Sequence, residues 1–185
     1  MNYFENLELE NYFLYKCSLN FNDNKIKDII NEIYDLESQG KYHSNSGRTF
    51  KINKGFHSVN ILEPQYKILE KYDGIKILCS RIQELVTNHF KTDRINFIDN
   101  QYGRLKITEI WINILRITDY NIPHNHAHYD ISGNFYLKTI TKKCCDTDGC
   151  LIFLNKSNHH YYLPPDVQKS GSVPTIHPRK NLGIL

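Results

Sequence analysis

The chain divides by the spacing of its apolar positions. Residues 1 to 22 alternate aromatic and polar side chains, as at Tyr12 and Leu14 and then Cys17, Leu19 and Phe21, which predicts one or two strands at a sheet edge. Asn22-Asp23-Asn24 supplies a helix start, and Ile26, Ile29, Ile30, Ile33 and Leu36 recur at helical spacing until Gly40 stops the run. The polar stretch 43–55 reads as an irregular loop. A second helix is expected from Pro64 to Lys71 or beyond. A third is expected from Ile75 to His89, with Ile77, Leu78, Ile82, Leu85 and Val86 as its apolar positions.

After Asp93 the period changes from 3.6 to 2. Ile107, Ile110, Ile112, Ile114 and Ile117 form one β-rich run, and Ile131, Phe135, Tyr136 and Leu137 another. Asp119, Asn121-Ile122-Pro123 and Ser132-Gly133-Asn134 are the turn formers among them. Shorter apolar runs follow at Cys150–Leu154, Tyr161–Leu163 and Asn181–Leu185. Helices followed by short strands predict an α+β protein, with helices packed on a sandwich or barrel. One domain over 1–185 is expected, with strands and helices in 1–92 and the β core in 93–185. Residues 93–105 then mark a change of texture rather than a domain boundary.

Composition narrows the function classes. With 185 residues the chain can bury a core without metal or disulfide staples. A net charge of +3, scattered along the sequence, gives no nucleic-acid patch. No apolar run reaches the length of a membrane span, and the acidic N-terminal residues do not resemble a secretory signal. Five cysteines, Cys17, Cys79, Cys144, Cys145 and Cys150, lack framework spacing and suggest reduced thiols in a cytoplasm.

The candidate chemistry lies between Trp111 and Lys138. His124, His126 and His128 alternate, and Asp130 continues the alternation. On an extended strand, side chains two apart share a face at about 6.6 Å. Two such imidazoles can converge on one ion at roughly 2.1 Å. His128 and Asp130 would lie about 13 and 20 Å from His124 along a straight strand, too far to join them. A His-rich surface strand would give the same pattern, and imidazole suits zinc, iron, nickel and copper alike. Cys144-Cys145 and Cys150 with His159-His160 fit no standard zinc spacing, and a hairpin turn at Gly149 accounts for them better. Arg116, Lys138 and Arg179 could hold a carboxylate but read more simply as solvated charges.

Trp111-Ile-Asn113, His124-Asn-His126 and Ser132-Gly133-Asn-Phe-Tyr136 stand in order at matching intervals. Upstream, Ser44-Asn45-Ser46-Gly47 leads toward His57-Ser58. In this ordered set the chain resembles the 2-oxoglutarate/Fe(II)-dependent oxygenases common in marine bacteria and their phages, over roughly residues 25 to 185. The resemblance implies a double-stranded β-helix (jelly roll) with N-terminal helices packed on it. It implies a dioxygenase of hydroxylase type that uses Fe(II) and the small-molecule cosubstrate 2-oxoglutarate. His124 and His126 would be metal ligands, and Tyr136 and Asn113 would lie near the metal, where they could address a carboxylate. The family's distal His and Arg follow a Gly-aliphatic-aliphatic-Phe-Pro segment. Only the start of that segment, from Pro178 to Leu185, has a counterpart here, so the last strands are expected to be missing and Leu182–Leu185 to lack a neighbour. The prime substrate stays open among protein side chains, nucleotides, lipids and small metabolites. The alternative from another class is a non-catalytic jelly-roll binding module, metal-free or with a structural ion.

Overall fold

The computed structural model describes residues 5–9, 12–44, 55–92, 106–116, 119, 121, 126, 129, 131–139, 151–152, 175–176 and 179–184. They fall into two compact units. One is continuous, Phe21–Ile122, and the other joins Met1–Asn20 to Pro123–Leu185. The N-terminal hairpin therefore groups with the C-terminal strands, a division that cuts across the change of texture read from the sequence. Residues 93–105 themselves lie outside the described residues.

The continuous unit is built on helices. Helix α1 (Asp23–Ser38) starts where Asn22 predicts, because the Asn22 side chain accepts a hydrogen bond from the Lys25 N–H at 2.8 Å. It stops at Gly40, whose φ of +65° is open to glycine at no steric cost. Ile26, Ile29, Ile33 and Leu36 are its buried face. Each contributes roughly 2 kcal/mol by leaving water.

Helix α3 (Asp73–Thr92) packs against α1. Its buried face is Ile75, Leu78, Cys79, Ile82, Leu85 and Val86, whereas Ile77, expected among them, is 41% exposed. Ile75 and Cys79, two positions to either side of Ile77, complete a regular helical stripe in its place. The first turn of α3 is capped by α1: Glu32 Oε1 accepts from Gly74 N and Oε2 from Ile75 N, both at 2.9 Å. Two N–H groups that a helix start leaves without partners are met by one carboxylate, on the end of the dipole that favours negative charge.

The single helix expected over 64–71 is two pieces, a 3₁₀ turn (Pro64–Tyr66) and a one-turn helix α2 (Ile68–Lys71). Lys67 between them has a left-handed φ of +51°, which no continuous α-helix accommodates. Tyr72 then pins this region to α1. Its buried hydroxyl donates to Asp35 Oδ2 at 2.6 Å and accepts from Gln39 Nε2 and Lys71 Nζ.

A small ribbon completes this unit. Strand β3 (Phe56–His57) pairs antiparallel with β4 (Asn113–Ile114), and residues 42–44 lie along the other side of β3 through the His43–Ser58 bridge. Beyond the short ladder, the backbone bonds Ser58 N to Ile112 O and Ile61 N to Ile110 O are joined by side-chain bonds. Ser58, fully buried, accepts from Ile112 N at 2.9 Å and donates to the Val59 carbonyl. Asn60 Oδ1 accepts from Ile110 N and Leu62 N, its amide donates to the Thr108 carbonyl, and Gln83 receives Ile107 N.

The second unit contains an antiparallel sheet in the order β1 (Glu5–Leu9), β2 (Tyr12–Ser18), β8 (Leu182–Ile184), β5 (Asn134–Tyr136). A separate pair joins β6 (Leu151–Ile152) to β7 (Thr175–Ile176). The run at Leu182–Leu185, expected to lack a neighbour, instead has β8 paired on both sides, with β2 and with β5. Asn181 leads into it with φ +69°, its N–H bonded to the Tyr136 carbonyl and its own carbonyl receiving Leu19 N. Gly183 faces Cys17 on one neighbour and Phe135 on the other. A Cβ there would stand 2.5 Å from Cys17 Sγ and 2.5 Å from Phe135 Cε1, so only glycine fits between them. Among the described residues no helix is long and apolar enough to cross a membrane.

Candidate functional site

The residues singled out by the sequence fall in both units, and each group is built differently. In the second unit, His126 lies outside any strand and is half-buried, its ring 6.2 Å from that of Tyr129 in an edge-on arrangement. The Tyr129 N–H donates to the His126 carbonyl at 3.1 Å. A bond to the residue three positions on belongs to turn geometry and not to an extended strand. His124, His128 and Asp130 lie outside the described residues. Tyr136, half-buried, closes strand β5 opposite Leu182, and its carbonyl receives the Asn181 N–H at 2.8 Å.

In the continuous unit, Asn113 is exposed on β4 and directly opposite His57 on β3. The cross-strand register puts both side chains on one face, and His57 Nδ1 meets Asn113 Oδ1 at 2.6 Å. Trp111, two residues before Asn113, lies over the same imidazole with ring centroids 6.2 Å apart and planes inclined by 25°. An amide oxygen can only accept, so Nδ1 is the donor in this contact. His57 entered the sequence reading only as part of a motif. Its partner stands 56 positions away, and two-residue strands are too short to be announced by alternation.

Electrostatics assign the other charged candidates. Arg116, at the end of the β4 segment, is ion-paired with Glu37 of α1, which holds its guanidinium above the usual arginine range. It is therefore a bridge between a strand and a helix. Lys138 and Arg179 are exposed. Burial pushes the Cys79 thiol up to about 12, so it stays protonated and is no nucleophile at neutral pH. Neither Cys79 nor the buried Cys17 is bridged. The cysteines and histidines of 144–160 lie outside the described residues.

A facial iron site needs three protein donors. Among the described residues no three His, Cys, Asp or Glu side chains converge, and His126 is the one member of the expected ligand pair whose surroundings are described. The cosubstrate side can be tested at Asn113. With Oδ1 engaged by His57, its amide offers N–H donors outward, which suits an oxygen acceptor such as a carboxylate. Set against known proteins, the chain matches no family model, no curated protein and no solved structure.

Proposed function

We propose that this chain is a 2-oxoglutarate- and Fe(II)-dependent dioxygenase of hydroxylase type on a jelly-roll scaffold, with His124 and His126 as metal ligands. The observation that carries the reading is the ordered set Trp111-Ile-Asn113, His124-Asn-His126 and Ser132-Gly133-Asn-Phe-Tyr136. A half-buried imidazole at His126 and the attachment of Tyr136 to a hydrogen-bonded strand agree with it. When bound, Fe(II) supplies the activation of O₂ coupled to oxidative decarboxylation of the cosubstrate. The chain's own contribution is binding and orientation. The resemblance assigns Tyr136 and Asn113 to the cosubstrate; each stands on a paired strand of its own unit, and the Asn113 amide is suited to donate to a carboxylate oxygen.

Anaerobic titration of the full chain with Fe(II) and then 2-oxoglutarate tests this through the weak visible charge-transfer band of the ternary complex. A band that appears in the parent chain and is abolished by His126→Ala or His124→Ala is the expected result. Fe(II) binding that survives both substitutions, or no Fe(II) binding at all, would overturn the reading in favour of a non-catalytic binding module.

A further inference from the structure

An exposed asparagine amide is ordinarily satisfied by water and turns freely about its last torsion. Asn113 is held instead, by an imidazole at 2.6 Å that lies against Trp111. The backbone beneath is also fixed. Ile112 N is bonded to the fully buried Ser58 hydroxyl, Ile112 O receives Ser58 N, and Ile110 N is bonded to Asn60. Trp111 and Asn113 on one segment and His57 on β3 thus stand together on backbone whose hydrogen bonds to Ser58 and Asn60 are already made.

We propose that His57 is a positioning residue, which turns the Asn113 amide so that its N–H₂ addresses the carboxylate of a small-molecule ligand. The role rests on the reading of Asn113 as a cosubstrate-binding residue. The chemistry follows from which atom is occupied. Asn113 has one acceptor and one donor group, and His57 takes the acceptor. What is left to a ligand is the donor, and no described protein group takes it. A ligand oxygen is therefore favoured and a ligand N–H disfavoured. Without His57 the amide can turn its oxygen to the ligand and repel the same carboxylate. Fixing the acceptor end of an amide by a hydrogen bond orients its donor end in advance of binding.

The single tryptophan of the chain is Trp111, stacked on His57, so its fluorescence reads this face alone. Metal-free full-length chain is titrated with 2-oxoglutarate, and with glutarate as a carboxylate that lacks the keto group. Saturable fluorescence change is expected with both. His57→Leu should weaken binding about tenfold, the loss of one oriented hydrogen bond to a charged group. His57→Gln, whose side-chain N–H can still donate to Asn113 Oδ1, should restore it to within about threefold. Asn113→Asp keeps an acceptor for His57, so the fold survives, but replaces the donor with negative charge and should weaken binding at least tenfold.

Absence of saturable binding in the parent chain overturns the proposal. So does His57→Leu binding like the parent, His57→Gln failing as badly as His57→Leu, or Asn113→Asp binding normally. If His57→Leu does not fold, the Gln and Asp variants decide. Failure of the oxygenase reading shows separately, as Fe(II) binding indifferent to His124 and His126, because this titration contains no metal.

Discussion

The β4 segment and the β8 strand are both short stretches of extended chain, yet they are secured by opposite means. Strand β8 is held by backbone ladders on its two sides, and its middle residue, Gly183, contributes by having no side chain. The 107–114 segment has a ladder of only two residues; beyond it Ile112 O and Ile110 O receive the Ser58 and Ile61 N–H groups, while the side chains of Ser58, Asn60 and Gln83 meet Ile112 N, Ile110 N, Thr108 O and Ile107 N. The first device is sensitive to added volume. The second is sensitive to lost polar atoms, because a half-buried N–H left without a partner costs its desolvation in full.

The sharpest way to break this contrast is Gly183→Ala. The new Cβ would enter the space of Cys17 Sγ and Phe135 at 2.5 Å on both sides, and overpacking of this kind costs about 3 kcal/mol. Hydrogen exchange should speed at the amides of β2, β5 and β8 while those of α1 and α3 hold. Equal acceleration in the helices would mean that the two units do not differ in this respect. Adding Cys17→Ala should recover only part of the loss, since Phe135 still blocks the other side.

Asn60→Ala probes the other device. It removes the acceptor shared by Ile110 N and Leu62 N and the donor to Thr108 O, for about 2 kcal/mol. The Trp111 emission maximum should shift to the red as the segment loosens, and the denaturant midpoint should fall. An unshifted spectrum together with an unchanged midpoint would show that the ladder alone suffices.

The smallest expected effect concerns the Tyr72 pin. Burial and the neighbouring Asp35 carboxylate raise the Tyr72 hydroxyl above its ordinary value of 10.0. Its folded value is the higher one, so the contribution is complete below pH 10 and is lost as pH rises through the folded value. Asp35 is held below its ordinary 3.8 chiefly by the same hydroxyl, so its contribution is present above that pH and lost as pH falls through the lower folded value. Tyr72→Phe should cost about 1 kcal/mol at neutral pH. It should flatten both limbs of the stability profile, and limbs as steep as the parent's would assign the pH dependence elsewhere.

Helices α1 and α3 were legible and the ribbon was not, for a reason of length. Ile26, Ile29, Ile33 and Leu36 repeat the helical period often enough to announce a face, and Asn22 and Gly40 punctuate it. A strand of two residues such as Phe56–His57 has no period to detect. The shift from Ile77 to Ile75 and Cys79 shows the same limit within a helix, where a run with several apolar residues admits more than one buried stripe. At the candidate site, Asn113, His126 and Tyr136 were visible as motif members. The His57–Asn113 hydrogen bond was not, because cross-strand register is decided by tertiary pairing. Nor was the bond from Tyr129 to the His126 carbonyl, since alternating histidines look the same in sequence whether the backbone runs straight or turns.

The sheet order also bears on how the chain acquires its structure during synthesis. Strand β8 lies between β2 and β5, yet it is translated after both. Among the described residues, only 182–184 join the β1–β2 hairpin to β5. The unit Phe21–Ile122 is contiguous and already emerged, and its helix–helix contacts close comparatively short loops. Folding should therefore be vectorial and in two stages, helices first. In the interval the side of β2 that β8 later meets is an edge with unpaired N–H and C=O groups, so among the described strands β8 is the one that closes this sheet last.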